Sequence, residues 1–175
     1  MDTKLKADIA ESAVVTELLR RGYRVLKPVG DRLPYDLAVD ANGKLLKLQV
    51  KSAWSRNGAY FVDSRRTKTN RRYMLRERYN GKDFDFAILY IDDLKVFYVM
   101  PISVFSSYKS EIALVETDTR QRKPRSWEYR ERWDLLSKKG GPVGNDWMKN
   151  LSNSVKPENG NTEPSPDILQ KSGKV

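Results

Sequence analysis

The chain has 175 residues, 39% of them hydrophobic and 32% charged, with a formal net charge of +10, no cysteine and no histidine. That length suits a single domain with its own core, and with no apolar run near the ~20 residues that span a bilayer and no signal-peptide pattern, a cytoplasmic protein without membrane partners is expected. The missing residue types exclude a disulfide framework, Cys-type zinc sites, thiolate nucleophiles, Ser-His-Asp hydrolysis and His-based metal sites, so hydrolytic chemistry would need carboxylates, amides, lysine, tyrosine and a hard ion such as Mg²⁺ or Mn²⁺.

Residues 4–21 read as an amphipathic helix, with Leu5, Ile9, Ala13, Val14, Leu18 and Leu19 near one stripe. Arg20 and Arg21 suit its C-terminal end, and Gly22 suits the position just beyond it. Tyr23 to Val29 is a first strand, and Gly30 to Pro34 a loop.

The stretch from Pro34 to Lys51 then reads as one β-hairpin. Asn42-Gly43 lies between two strand-like runs and suits a two-residue type I′ turn, whose central residues both need φ > 0. Such a turn puts Leu37 opposite Leu48 and Val39 opposite Leu46. The period-2 pleat places Leu37, Val39, Leu46, Leu48 and Val50 on one apolar face and Asp36, Gln49 and Lys51 on the other, with Asp36 facing Gln49. An acid, an amide and a lysine clustered beside a core strand suit metal-dependent phosphodiester chemistry better than a structural role. Asp40, on the same polar face, sits near the turn and reads as solvation.

Ala59 to Asp63 is a short strand. The segment 64–83 is polar and basic, and 71–79 within it is compatible with a helix. Phe84 to Asp92 and Lys95 to Met100 form a second hairpin, and Pro101 opens a short helix to about Ser107, since proline is accepted at a first helical position. A further short helix is expected around 128–137, with Trp127 and Trp133 as packing residues. The domain is expected to span residues 1–150, and 151–175, rich in Ser, Asn, Pro, Gly and Lys, to be a disordered tail.

Positive charge is concentrated in two segments. Arg65, Arg66, Lys68, Arg71, Arg72, Arg76, Arg78 and Lys82 face only Glu77 between Ser64 and Lys82. Arg120, Arg122, Lys123, Arg125, Arg130, Arg132, Lys138 and Lys139 outnumber Glu128, Glu131 and Asp134 between Arg120 and Lys139. Such clustering points to a polyanion partner. Arg65, Arg66, Lys68, Arg71, Arg72 and Arg76 in the first segment, and Arg122, Lys123 and Arg125 in the second, are the candidates for contact with DNA.

A helix carrying Glu11, then a hairpin carrying Pro34-Tyr35-Asp36 and Gln49-Val50-Lys51, resembles the PD-(D/E)XK nuclease superfamily. The basic insertion and the second hairpin, leaving through Val99-Met100-Pro101, look closest to homing endonucleases of cyanobacterial group I introns. The resemblance spans roughly residues 1–150. It implies an α/β fold with a restriction-endonuclease-like core, a central mixed β-sheet flanked by helices and β-rich, basic DNA-binding additions. It also implies that Asp36 is the central ligand of Mg²⁺ (or Mn²⁺), joined by the Val50 carbonyl, Gln49 and Glu11, and that Lys51 orients or deprotonates the attacking water. Asp8 and Glu17 are the weaker substitutes for Glu11. Gln49 departs from the pattern, since the superfamily usually has Glu or Asp there.

The expected activity is then site-specific hydrolysis of double-stranded DNA by a nucleoid-associated homo-oligomer. Cutting both strands needs at least a dimer, and the resemblance suggests a tetramer. A Holliday-junction resolvase of the same superfamily and a catalytically silent nucleic-acid-binding protein are the alternatives.

Overall fold

The computed structural model describes residues 2–30, 32–41, 43–69, 74–117 and 122–138, all within one unit spanning residues 1–144; of 68, 69, 74 and 138 it describes the backbone. In chain order the elements are α1 (Thr3–Arg20), β1 (Arg24–Leu26), β2 (Leu37–Ala41), β3 (Lys44–Ser52), β4 (Trp54–Arg56), β5 (Ala59–Asp63), β6 (Arg65–Thr69), β7 (Met74–Arg78), β8 (Phe86–Ile91), β9 (Val96–Pro101), α2 (Ile102–Phe105), β10 (Glu111–Leu114), a 3₁₀ turn (Arg125–Tyr129) and α3 (Asp134–Lys138). Among the described residues, no helix is long and apolar enough to cross a membrane.

The central sheet has the order β1-β2-β3-β8-β9, with β3 and β8 parallel and every other pair antiparallel. It is the expected mixed sheet. One face, with Leu37, Val39, Leu46, Leu48, Val50, Phe86, Ile88 and Val99, packs on α1. The other face, with Ala87, Leu89, Tyr98 and Met100, packs on Phe105 of α2 and on Ile112 and Leu114 of β10. β8 is buried throughout because both faces are covered. A second sheet has the order β10-β5-β4, and β6 with β7 makes a separate two-stranded ribbon.

The helix forms where expected, with Asp2 capping its start and Gly22, at φ +82, beyond its end. Its buried ridge, however, is Ala10, Val14 and Leu18, with Ile9 and Ala13 partly buried beside it, whereas Leu5 and Leu19 are 49% and 57% exposed. At about 3.6 residues per turn those two leucines lie on the far side of the helix.

Other expectations are corrected by context. β1 stops at Leu26 rather than reaching Val29, because Pro28 has no N–H to give to a ladder. Residues 74–78 are a strand, not a helix. A helix of under ten residues without a partner is marginal in water, and antiparallel pairing with β6 satisfies the same backbone groups. Residues 71–73 lie outside the described residues.

β4 and β10 were not anticipated, since runs of three and four residues are too short to show a period. Pro101 caps α2 instead of occupying its first turn. The helix expected over 128–137 is split into the 3₁₀ turn and α3, because Glu131 between them takes φ +52. Glu131 is held there by its N–H on the Phe97 carbonyl (2.8 Å) and its carboxylate on the Phe97 N–H (2.8 Å) and the Trp133 Nε1 (2.9 Å). Trp133 is buried in the α1 core, as expected. The boundary near 150 and the tail from 151 lie outside the described residues.

Candidate active site

The β2–β3 hairpin has the register read from its turn: Leu37 pairs with Leu48, Val39 with Leu46 and Ala41 with Lys44. Two residues therefore connect the strands, and Gly43 has φ +80, which only glycine adopts without strain. Asn42 lies outside the described residues; the turn is also held by the Gly43 N–H on Asp40 Oδ1 at 2.9 Å. At the other end the ladder stops. The Asp36 N–H reaches the Leu48 carbonyl (2.9 Å), one residue out of step, and β3 runs on through Gln49, Val50 and Lys51 paired with β8. That divergence opens a cleft.

Asp36 takes over part of the missing ladder with its side chain. Its Oδ2 accepts from the Val50 N–H at 2.7 Å and from Gln49 Nε2 at 2.5 Å. Gln49 is 8% exposed, and Nε2 is also 3.3 Å from the Val50 carbonyl oxygen. In this orientation the Gln49 amide donates to two of the expected ligand oxygens instead of offering one. Half a turn about its last torsion exchanges Nε2 and Oε1 and turns an oxygen to the same place. Burial pushes the Asp36 carboxyl up to about 6; the Val50 N–H opposes the rise and the charge on Glu11 adds to it.

α1 delivers Glu11, the residue after Ala10 of the buried Ala10–Val14–Leu18 ridge, to the same cleft. Asp8, which is exposed, and Glu17, which pairs with Arg21 at 2.7 Å, are not among the residues that line the cleft. Glu11 Oε2 accepts from Lys27 Nζ at 2.8 Å. Lys51 Nζ donates to the Arg65 carbonyl at 3.0 Å and lies 5.2 Å from the Tyr79 ring centroid. Burial lowers the Lys51 pKa, with Asp36 and Asp63 opposing.

The cleft therefore brings together Glu11, Asp36, Gln49, Val50 and Lys51, in a volume of about 530 Å³. A contiguous pocket adds Lys27, Arg66 and Tyr79 beside Glu11, Asp36 and Gln49. Lys27 and the ring contact of Tyr79 had no signal in the sequence, since each meets its partner only through the fold.

The first basic segment rises from this cleft as the β6–β7 ribbon. Arg66 lines the pocket, and Arg76 is exposed. Arg65 is held differently: its guanidinium binds Asp63 through Nε (2.9 Å) and Nη2 (3.1 Å). The side chain of Lys68, and Arg71 and Arg72, lie outside the described residues. The second segment lies against β9 and β10. There Lys123 donates to the Thr117 carbonyl (2.8 Å) and covers the Trp127 ring, while Arg125 donates to Ser107 Oγ (3.1 Å). Arg122 is exposed.

The cleft offers the carboxylates of Asp36 and Glu11 and the Val50 carbonyl, with an oxygen of Gln49 joining them only when its amide is turned, and such oxygens suit a hard divalent cation. Among the described residues no group of three or more acidic side chains gathers anywhere, so the cleft offers less charge than a full carboxylate cage. Burial is the main cause of the raised Asp36 pKa, and the charges of Lys51 and Lys27 offset it only in part.

A family model described as PD-(D/E)XK endonuclease matches residues 1–136, which include every residue of the cleft. Among solved structures the chain is similar to a bacterial homing endonuclease, I-Ssp6803I, at 57% identity with a TM-score of 0.74, over 79% of this chain and 95% of that one. No curated protein matches it.

Proposed function

Because the chain belongs to the PD-(D/E)XK endonuclease family, we propose that it is a homing-type endonuclease that cuts double-stranded DNA at a specific site with Mg²⁺ or Mn²⁺. The observation that carries this is one cleft holding Glu11, Asp36, Gln49, the Val50 carbonyl and Lys51, at the root of a basic ribbon. The 57%-identical bacterial homing endonuclease supports the homing assignment.

Asp36 and Glu11, with the Val50 carbonyl and the Gln49 amide, are the residues that would hold the ion. When bound, such an ion lowers the pKa of water and polarises a phosphoryl oxygen. Asp36 is kept in place by the Val50 N–H, so its second oxygen is available to the cleft. Lys27 aligns the Glu11 carboxylate. Lys51 would orient the attacking water or take its proton, and its burial, which lowers its pKa, weakens the hold on the proton it carries. Arg66 lines the adjoining pocket and would meet a phosphate of the bound DNA.

One cleft breaks one strand, so a double-strand cut requires at least a symmetric dimer and fits a pseudo-palindromic target. A tetramer would span a longer site. The protein would act in the cytoplasm on nucleoid DNA, as one domain over residues 1–150.

The test is incubation with linear duplexes carrying random inserts and with a four-way junction, in Mg²⁺ and in EDTA. Discrete products from selected linear duplexes, in Mg²⁺ only and absent for Asp36→Ala, are expected. Cleavage of the junction alone would replace the homing reading with a resolvase. Binding without products from any substrate would overturn the enzymatic reading of the cleft.

A further inference from the structure

The Lys51 ammonium is held by a backbone carbonyl, and the position of that carbonyl is itself fixed. Arg65 starts β6, two residues after Asp63 ends β5. Asp63 Oδ1 accepts from both the Arg65 N–H and Nε at 2.9 Å, and Oδ2 accepts from Nη2 at 3.1 Å. A single carboxylate thus binds the backbone and the side chain of one residue. Arg76, on β7, approaches the same carboxylate at 3.9 Å.

Between Asp63 and Arg65, Ser64 is 4% exposed. Its N–H (2.8 Å) and Oγ (3.0 Å) both donate to the Ser110 carbonyl. The corner is pinned on both sides, and the Arg65 carbonyl faces Lys51 at 3.0 Å. An arginine placed only for phosphate would leave its guanidinium open to solvent. This one has two of its three nitrogens on Asp63, with a geometry that lysine cannot reproduce.

We propose that Asp63 is a positioning residue of the endonuclease reaction: its forked pair with Arg65 fixes the Arg65 carbonyl, which holds the Lys51 ammonium at the cleft. The assignment rests on Lys51 being the reactive lysine of the proposed site. It moves Arg65 from the DNA-contacting set to the machinery that ties the basic ribbon to the chemistry.

The test compares Asp63→Asn, Arg65→Lys and Lys51→Ala with the wild type. Three quantities are measured on a duplex that the protein cuts: the single-turnover cleavage rate in Mg²⁺, the binding constant in EDTA, and the melting temperature. Asp63→Asn is expected to cut about 10–100-fold more slowly, the usual scale for losing a residue that orients a reactive group. Its binding should be unchanged or tighter, because a carboxylate competing for Arg65 and Arg76 is gone. Arg65→Lys, which keeps the charge but loses the fork, should show the smaller loss of the two.

Wild-type cleavage by Asp63→Asn together with an inactive Lys51→Ala would overturn the clamp and leave the site reading standing. Wild-type cleavage by Lys51→Ala would overturn the site reading itself. A slower Asp63→Asn whose binding or melting temperature falls in proportion would reduce Asp63 to a structural residue and also overturn the proposal.

Discussion

Two partly buried carboxylates of this protein face opposite situations. Glu116 accepts from the Tyr98 hydroxyl and from Arg130 Nε at 3.0 Å, and the Arg130 backbone pairs with Tyr98. Its charge is answered within the fold. Asp36 accepts from an N–H and an amide, while the nearby ammonium groups of Lys51 and Lys27 are bonded to the Arg65 carbonyl and to Glu11. Its pKa rises to about 6 as a result of burial. A carboxylate left short of cation in a cleft is a place for a cation from outside. One completed by arginine and tyrosine is part of the scaffold.

Exchanging the two should separate chemistry from stability. Asp36→Ala should lower the cleavage rate by about 10²–10³-fold or more, the scale of losing an electrostatic stabiliser of the transition state, with duplex binding in EDTA retained. Glu116→Gln should leave the cleavage rate of the folded protein near wild type but destabilise it by about 1–3 kcal/mol in urea titrations. That figure is discounted from a fully buried pair because Arg130 is 34% exposed. Equal loss of cleavage in both variants would erase the distinction.

The sign of the Asp36 contribution gives a sharper check. Its folded pKa, about 6, lies above the ordinary carboxylate value, so the folded state holds a proton that the unfolded chain releases first. Metal-free stability from this group is full below about pH 4 and is lost as pH rises through about 6. Asp36→Asn should therefore be more stable than wild type by about 2–3 kcal/mol at pH 8 without metal, with the gain vanishing near pH 4. Urea unfolding at the two pH values measures it. Added Mg²⁺ should stabilise the wild type and not the variant.

The smallest expected effect concerns the basic segments. Arg66→Ala should weaken duplex binding several-fold and reduce the slope of log affinity against log salt by about one. Lys123→Ala, which removes a cation bonded to the Thr117 carbonyl and lying over Trp127, should change that slope less. A larger change for Lys123 would reassign the DNA-facing surface to the second segment.

Much of the site was legible because its determinants are local. The Asn42-Gly43 turn and the period-2 pattern decide which residues of β2 and β3 oppose one another, and Gln49 and Asp36 meet within that hairpin. Glu11 could be named ahead of Asp8 and Glu17, and the Ala10–Val14–Leu18 ridge then fixes the rotation of α1 that brings Glu11 to the cleft. The ribbon β6–β7 was misread in part as helix because a strand's preference is decided by its partner.

By itself, then, the sequence determined the hairpin, its register and the kinds of atoms in the cleft, since these follow from turn geometry and side-chain alternation. Only the tertiary structure decided which cations remain for other work. Lys27 meets Glu11 across 16 residues, Lys51 meets the Arg65 carbonyl across 14, and Arg130 meets Glu116 across 14. Charge is written residue by residue, but whether it is neutralised depends on what the packing of helix, sheet and ribbon brings within hydrogen-bond reach.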